Sequence, residues 1–319
     1  MNSLLGKIGH FKPQGMALMA VVFFIPFSSW GFSRAGSEFR VNTSTSGDQF
    51  DPALAVDGAG NFIIVWTGKS ASDSNGIFAQ RYTAAGTAIG SQFQVNTTAT
   101  GDQNDPCVAL DGAGNFVIAW TGKGSGDSNG IYARRYNAAG TALGTEFRVN
   151  TTSNGNQDDP SIAMASDGHF VIAWGGKGSS DSNGVYARRY NAAGTAQGSE
   201  FQVSVTENGN QDDPRIAMSA SGLFVIAWSG QGSGDSNGVY ARRYNTVGTA
   251  QGGEFRVNSF TSGSQRYPFP GMDADGNFVI AWESNSPDGI RAQRYNASGT
   301  AQGGEFQVNT FTGGDFFQS

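Results

Sequence analysis

The sequence predicts an all-β fold, a β-propeller of five four-stranded antiparallel blades, on three observations. Tryptophan recurs at steps of 54 residues, at Trp66, Trp120, Trp174, Trp228 and Trp282. Each unit contains short β-branched and aromatic runs separated by turns rich in Gly, Asn and Asp, a pattern typical of short strands. Self-similarity at a fixed period indicates an architecture in which each unit buries its faces against its neighbours.

One unit shows how the four strands follow each other. In the second unit we predict strand a at Cys107–Asp111, strand b at Phe116–Trp120, strand c at Ile131–Tyr136 and strand d at Glu146–Asn150. Strand b is apolar at every position, as expected for a strand buried on both faces. The turns DGAGN and NAAG between strands carry the Gly that tight hairpins need. The units lie near 52–96, 106–150, 160–204, 214–258 and 268–309.

The number of blades leaves two alternatives open. Five complete sets of strands are present, and an extra d-type strand, EFRVN at 38–42, precedes them. A ring of five blades is the first expectation, with the spare strand closing the ring or capping an edge, because open edges invite pairing with other chains. The alternative is an open or linear β-repeat array.

Residues 1–31 have the features of a signal peptide. Lys7 and Lys12 precede a short apolar run, Met16–Phe27, and small residues follow near Gly31. We expect cleavage near Gly31, with an uncleaved N-terminal anchor as the alternative, and a repeat domain over 32–319. Because no second apolar run follows, the sequence predicts a secreted, periplasmic or cell-surface protein without a membrane span in its mature chain.

Composition and charge limit the classes of function that the protein can have. Gly accounts for 47 of 319 residues, which suits many tight turns and disfavours long helices. The formal net charge is −6, and no basic stripe is present, so nucleic-acid binding is not expected. The two histidines, His10 and His169, lie in the leader and in a turn. Neither a Ser-His-Asp triad nor a histidine metal site can be assembled from them.

The repeat itself resembles a known class. Units reading GNFVIAW…GIYARRYNAAGTALGTEFRVN resemble tandem repeats of uncharacterised, exported bacterial cell-surface proteins. The resemblance covers nearly all of residues 38–319 and implies a propeller-like fold at the cell surface or outside the cell. It implies no catalytic residues.

Three recurrent positions have structural interpretations. Arg81, Arg135, Arg189, Arg243 and Arg294 occur once per unit, and a half-buried guanidinium needs a partner, so we expect them to contact a neighbouring blade. The residues just before them are Gln80, Arg134, Arg188, Arg242 and Gln293, and we expect these to face solvent. The tryptophans are expected to pack between blades.

The candidate binding residues lie in two long polar loops of each unit. Antiparallel alternation places the d-to-a and b-to-c loops at the same end of a blade, and loops on a rigid scaffold commonly carry function. The candidates are Asp51, Asp105, Asp159 and Asp213 before the prolines, Asp73, Asp127, Asp181 and Asp235 in the b-to-c loops, and Gln103 and Gln157. The alternative is turn chemistry, in which Asp side chains accept hydrogen bonds from nearby amides. No cofactor is expected; Ca²⁺ held by carboxylates is a further alternative.

Three hypotheses for the function follow. The first is a binding or interaction module, multivalent through its repeated loops, for glycan or surface-protein ligands. The second is a purely structural repeat protein. The third is a glycosidase-like enzyme, which requires two carboxylates in unlike environments. Near-identical first units disfavour an enzyme, but the fifth unit diverges at Arg266, Tyr267 and Glu283, and Glu283 is the carboxylate to test.

Overall fold

The computed structural model describes residues 19–20, 37–44, 47–69, 73, 75–207 and 209–310. Apart from Met19–Ala20, the predicted signal peptide lies outside the described residues, as do residues 311–319. No helix in the described ranges has the length and apolar character needed to cross a membrane.

Twenty strands form five four-stranded antiparallel sheets, each made from four consecutive strands. A separate pair, β1 (Met19–Ala20) and β2 (Phe39–Arg40), precedes them. The first blade contains β3 (Gln49–Val56), β4 (Phe62–Gly68), β5 (Gly76–Tyr82) and β6 (Ala88–Gln94), and the second contains β7 (Gln103–Leu110), β8 (Phe116–Gly124), β9 (Asp127–Tyr136) and β10 (Phe147–Arg148). The third contains β11 (Gln157–Met164), β12 (Phe170–Gly176), β13 (Gly184–Tyr190) and β14 (Phe201–Gln202). The fourth contains β15 (Gln211–Met218), β16 (Phe224–Gly232), β17 (Asp235–Tyr244) and β18 (Phe255–Arg256), and the fifth contains β19 (Gln265–Met272), β20 (Phe278–Asn285), β21 (Asp288–Tyr295) and β22 (Phe306–Gln307).

The blades are arranged as a propeller with their first strands innermost. Strands β3, β7, β11, β15 and β19 pack against one another in that order. The five predicted four-stranded units and the all-β class are therefore confirmed. In the described part of the chain, no strand of the first blade packs extensively against a strand of the fifth.

The core lies between blades. In the second junction, Val117 and Ile131 of the second blade cluster with Phe170, Trp174 and Tyr186 of the third. All five repeated tryptophans are less than 2% exposed, which confirms their packing role. Burial of such apolar faces is the main stabilising term of the fold.

Two strand boundaries differ from the predicted ones. The first strand of each blade begins four residues earlier, at Gln, and runs through the Asp-Pro pair by way of a β-bulge. A bulge tolerates proline because the bulged residue does not need to donate a ladder hydrogen bond. In the second blade, the predicted loop TGKGSGDSNG is mostly a hairpin, in which Gly124 pairs with Asp127. The fourth blade has the same extension.

Four of the five recurrent arginines, those of the first four blades, connect neighbouring blades, as predicted. Arg135 Nη2 donates to the carbonyl of Ala192 at 2.7 Å, and Arg243 Nη1 donates to that of Ala297 at 2.8 Å, each in the next blade. Gly194 lies under Arg135 with φ +78°, and a Cβ there would be 2.5 Å from Arg135 Cδ. The turn thus needs Gly for both its left-handed conformation and this close approach.

The prediction that the preceding residues face solvent is wrong. Arg134 Nη1 donates to Val95 O at 2.9 Å, and Arg188 Nη1 donates to Val149 O at 2.9 Å. Gln80 and Gln293 are buried. The two arginines therefore donate hydrogen bonds to backbone carbonyls of the preceding blade.

Candidate functional site

The innermost strands bring one residue per blade to the same end of the propeller, at the start of each strand. Asp51, Asp105, Asp159, Asp213 and, in the fifth blade, Tyr267 all have φ between 49° and 53°. Each is the first of two bulge residues that oppose a single residue of the next strand. Asp is one of the few non-glycine residues that adopt this left-handed conformation readily. The predicted Asp-Pro positions therefore form a repeated inner rim, here called the mouth.

Carboxylates of neighbouring blades interact at the mouth. Burial, reinforced by the charges of Asp159, Asp105 and Asp212, raises the pKa of Asp158 to about 6. Partial desolvation and then the charge of Asp159 raise the pKa of Asp212, although that residue is exposed. Desolvation and mutual repulsion both disfavour the charged forms of Asp158 and Asp212.

Gly175 lies between two of these groups. A Cβ at Gly175 would be 3.5 Å from Asp158 Oδ1 and 3.8 Å from the Cα of Asp212. The corresponding residue of the second blade is Thr121, which pairs with Asn104 in the ladder. The third blade therefore presents no side chain at a position where the second blade has a threonine.

The fifth blade presents different chemistry at the mouth. Arg266 Nε lies 3.5 Å from Glu283 Oε2, and the Arg266 guanidinium lies 5.2 Å from the centre of the Tyr267 ring. Burial raises the pKa of Glu283, and the Arg266 charge opposes that rise. The Tyr267 amide donates to Ser229 Oγ of the fourth blade at 2.9 Å. The repeated carboxylates thus give way here to a cation and an aromatic ring.

The second set of candidates, in the b-to-c segments, is buried inside the loops. Asp73, Asp127, Asp181 and Asp235 are each at most 8% exposed. In each, Oδ1 accepts the backbone N–H two residues later, at 3.1 to 3.2 Å. A ligand role for these residues stays a prediction, and their contacts favour the turn chemistry that we weighed against it.

The third blade lacks one contact that the first, second and fourth blades make. Asn96, Asn150 and Asn258 donate to Oδ2 of Asp73, Asp127 and Asp235 at 2.7 to 2.8 Å. Ser204 takes the place of this Asn in the third blade, and Asp181 Oδ2 is buried without a hydrogen-bond partner among the described residues. An unpaired buried carboxylate oxygen is costly.

We expect Ser204→Asn to raise the free energy of unfolding by about 1–2 kcal/mol, because the new amide restores a hydrogen bond to a charged acceptor. Guanidinium unfolding followed by circular dichroism measures the change. The matched variant is Asn150→Ser, which removes the same contact in the second blade and should destabilise by a similar amount. A neutral Ser204→Asn beside a destabilising Asn150→Ser would contradict this account of Asp181.

The two candidate glutamines make structural contacts, and one of them supports a tryptophan. Gln103 and Gln157 are buried. Gln103 Oε1 accepts from Trp120 Nε1 at 3.0 Å, and its Nε2 donates to Lys123 O at 3.0 Å. Gln157 Nε2 donates to Lys177 O at 2.9 Å. Both therefore link the start of the innermost strand to the strand beside it, and a ligand role for them stays a prediction.

The sequence analysis singled out the Asp before Pro in the first four blades but missed the residue before that Asp. This position is occupied by Phe50, Asn104, Asp158 and Asp212 in those blades and by Arg266, which the sequence did single out, in the fifth. The doubled DDP of the third and fourth units was the available signal. Among the described residues, no group of three or more His, Cys, Asp or Glu side chains is arranged to hold a metal ion.

No family model matches the sequence, and no curated protein matches it. Several solved structures have a similar fold. A protein of unknown function from Dyadobacter fermentans is 15% identical over 82% of each chain, with a TM-score of 0.55. The α-L-arabinanase of Penicillium chrysogenum, complexed with arabinobiose, is 12% identical over 82% of this chain and 80% of that chain, with a TM-score of 0.55.

The α-L-arabinofuranosidase of Fusarium graminearum, also with arabinobiose, is 12% identical over 81% of this chain and 80% of that chain, with a TM-score of 0.53. At these identities the likeness concerns the fold and not the activity. The architecture of this chain is therefore that of a five-bladed β-propeller.

Proposed function

We propose that the protein is a binding module whose ligand docks at the mouth, on the long-loop end of the propeller. The supporting observation is the cluster of carboxylates from neighbouring blades: burial, reinforced by repulsion from Asp159, Asp105 and Asp212, raises the pKa of Asp158 to about 6. Strongly perturbed carboxylates in a cleft are typical of functional sites. A cationic ligand group relieves this repulsion, whereas a neutral sugar does not, so we favour a basic segment of a protein partner over a glycan.

The test compares a panel of basic peptides with neutral oligosaccharides by calorimetry. We expect basic peptides to bind and their affinity to fall as salt rises. The triple variant Asp105→Asn, Asp159→Asn, Asp213→Asn should weaken binding by about tenfold or more, since charge pairs at interfaces carry coupling energies of this order. Asn also tolerates the left-handed conformation of these residues, so the fold is kept.

Asp275→Asn is the matched control, because it removes one carboxylate in an exposed turn at the opposite end of the fifth blade. Its binding should equal that of the unmodified protein. Equal binding by the triple variant, or binding of neutral sugars alone, would contradict a cation-binding mouth.

A glycosidase-like activity is a second candidate, favoured by one observation. Asp158, with its raised pKa, lies beside the carboxylates of Asp159 and Asp105, and glycoside hydrolysis uses one protonated and one ionised carboxyl group. Two proteins of similar fold are an α-L-arabinanase and an α-L-arabinofuranosidase, so arabinan is the first substrate to test. Hydrolysis abolished by Asp158→Asn or Glu283→Gln supports this candidate; the absence of hydrolysis in the unmodified protein removes it.

A further inference from the structure

The face of the fifth blade that points away from the fourth is apolar and is not covered by any of the described residues. This trailing face consists of Val279, Ala281, Ile290, Phe306 and Val308. Phe306 is 43% exposed and Val308 is 53% exposed. One blade earlier, the corresponding Val225 is 0% exposed and Val257 is 5% exposed. The same repeat position is thus buried in the fourth blade and open to solvent in the fifth.

The four internal junctions show what covers such a face. At the junction of the fourth and fifth blades, Val225, Val239 and Val257 cluster with Phe278, Ile280, Trp282 and Tyr295. The third and fourth blades meet through the corresponding residues. Each trailing face is therefore built to receive the aromatic leading face of another blade.

The outer strand and the recurrent arginine add specific contacts at each junction. The rings of Phe255 and Tyr295 lie 5.4 Å apart, and those of Phe201 and Tyr244 lie 5.5 Å apart. Phe306 has no such ring partner among the described residues. Arg294 is exposed and bonds weakly to Gln302 O of its own blade at 3.5 Å, whereas Arg243 reaches the next blade.

The first blade already receives a strand of this type, from the segment before it. The Phe39 ring lies 5.3 Å from that of Tyr82, whose hydroxyl donates to Val41 O at 3.2 Å. The amide of Thr43 donates to Gln92 Oε1 at 2.7 Å, as the amide of Thr97 donates to Glu146 in the next junction. Residues 39–43 (FRVNT) therefore occupy the docking position on the first blade. The sequence of residues 306–310 (FQVNT) differs from that segment at one position only.

We propose that the trailing face of the fifth blade docks on the first blade of a second copy of this chain. Residues 306–310 of one copy replace residues 39–43 of the other, so the contacts of the outer strand are exchanged like for like. The association then buries Val279, Ala281 and Ile290, which the separate copy leaves half-buried. Because the two segments differ at one position only, the replacement keeps most contacts, and a head-to-tail contact of this kind extends into larger assemblies.

Sedimentation velocity of the full chain over a wide range of concentration tests the proposal. We expect the average mass to rise with concentration. Val308→Glu should weaken the association by about tenfold or more, because a charge would be buried without a partner. The matched control is Val247→Glu, at a 63% exposed position in a turn of the fourth blade, which should leave the association unchanged.

A second measurement identifies the surfaces that meet. A photo-crosslinking amino acid replaces Phe306, and unlabelled protein is mixed with isotopically heavy protein. Crosslinks from position 306 to the first blade that join one light and one heavy chain support the proposal. A chain that stays monomeric at all concentrations, or crosslinks confined to single chains by closure of the ring, would overturn it.

Discussion

Trp120→Ala is expected to lower the free energy of unfolding by about 3–5 kcal/mol, the usual cost of deleting a fully buried aromatic ring. Trp120 is 0% exposed and lies 6.4 Å, ring centre to ring centre, from Tyr132 of the next strand. It also belongs to the core cluster that joins the first and second blades, with Val65 and Val95. The loss therefore affects a blade and a junction together. Guanidinium unfolding followed by circular dichroism measures it, and a cost below about 1 kcal/mol would contradict the assigned packing.

Trp120→Phe measures the contribution of the indole hydrogen bond separately from the contribution of ring packing. Phe keeps most of the apolar contact but leaves Gln103 Oε1 without the indole donor, at an added cost of about 1–3 kcal/mol. Trp282→Phe is the matched comparison, because Trp282 Nε1 is buried with no acceptor among the described residues. There, Gln265 Oε1 accepts from Asn258 Nδ2 at 3.2 Å instead. Trp282→Phe should therefore be the milder variant, and equal costs would show that the indole hydrogen bond contributes little.

The repeat made most of the fold predictable. Because Trp, Pro and Phe keep the same spacing through successive units, the positions that every blade needs could be recognised without the structure. Strand b was located at its true start, Phe116, since its apolar run fits only a strand covered on both faces. The start of the innermost strand was missed because Pro106 signals a strand boundary in sequence, whereas here it lies in a bulge that the sheet accommodates.

The candidate site was less predictable because it depends on contacts between blades. The Asp before Pro was assigned to one end of the propeller. Asp158 and Asp212 were missed because the residue type at their position in the repeat changes from unit to unit. Their importance comes from charges on neighbouring innermost strands, about one repeat away in sequence. Arg134 was likewise assigned to solvent because strand alternation does not reveal that the carbonyl of Val95, in the preceding blade, lies within its reach.

Asp158→Asn should stabilise the protein at pH 7 and leave its stability unchanged near pH 3.5. Burial and the neighbouring carboxylates raise the pKa of Asp158 to about 6 in the folded chain, above its ordinary value of 3.8. A raised carboxyl pKa means that the folded state binds the proton more tightly than the unfolded state. This contribution to stability is complete below pH 4 and is lost as the pH rises through 6.

At neutral pH the charged Asp158 therefore costs the fold about 1–2 kcal/mol, a value reduced for partial solvent screening, and Asn removes that cost. Unfolding midpoints of both proteins between pH 3.5 and 7.5 measure the difference, and Asp275→Asn, in a turn at the opposite end, serves as the control. If the mouth binds cations, the stabilised Asp158→Asn should also bind basic peptides more weakly, because a cationic ligand relieves the repulsion between carboxylates that adds to the desolvation cost. A variant that gains stability and keeps full affinity would show that the carboxylate cluster does not contribute to ligand binding.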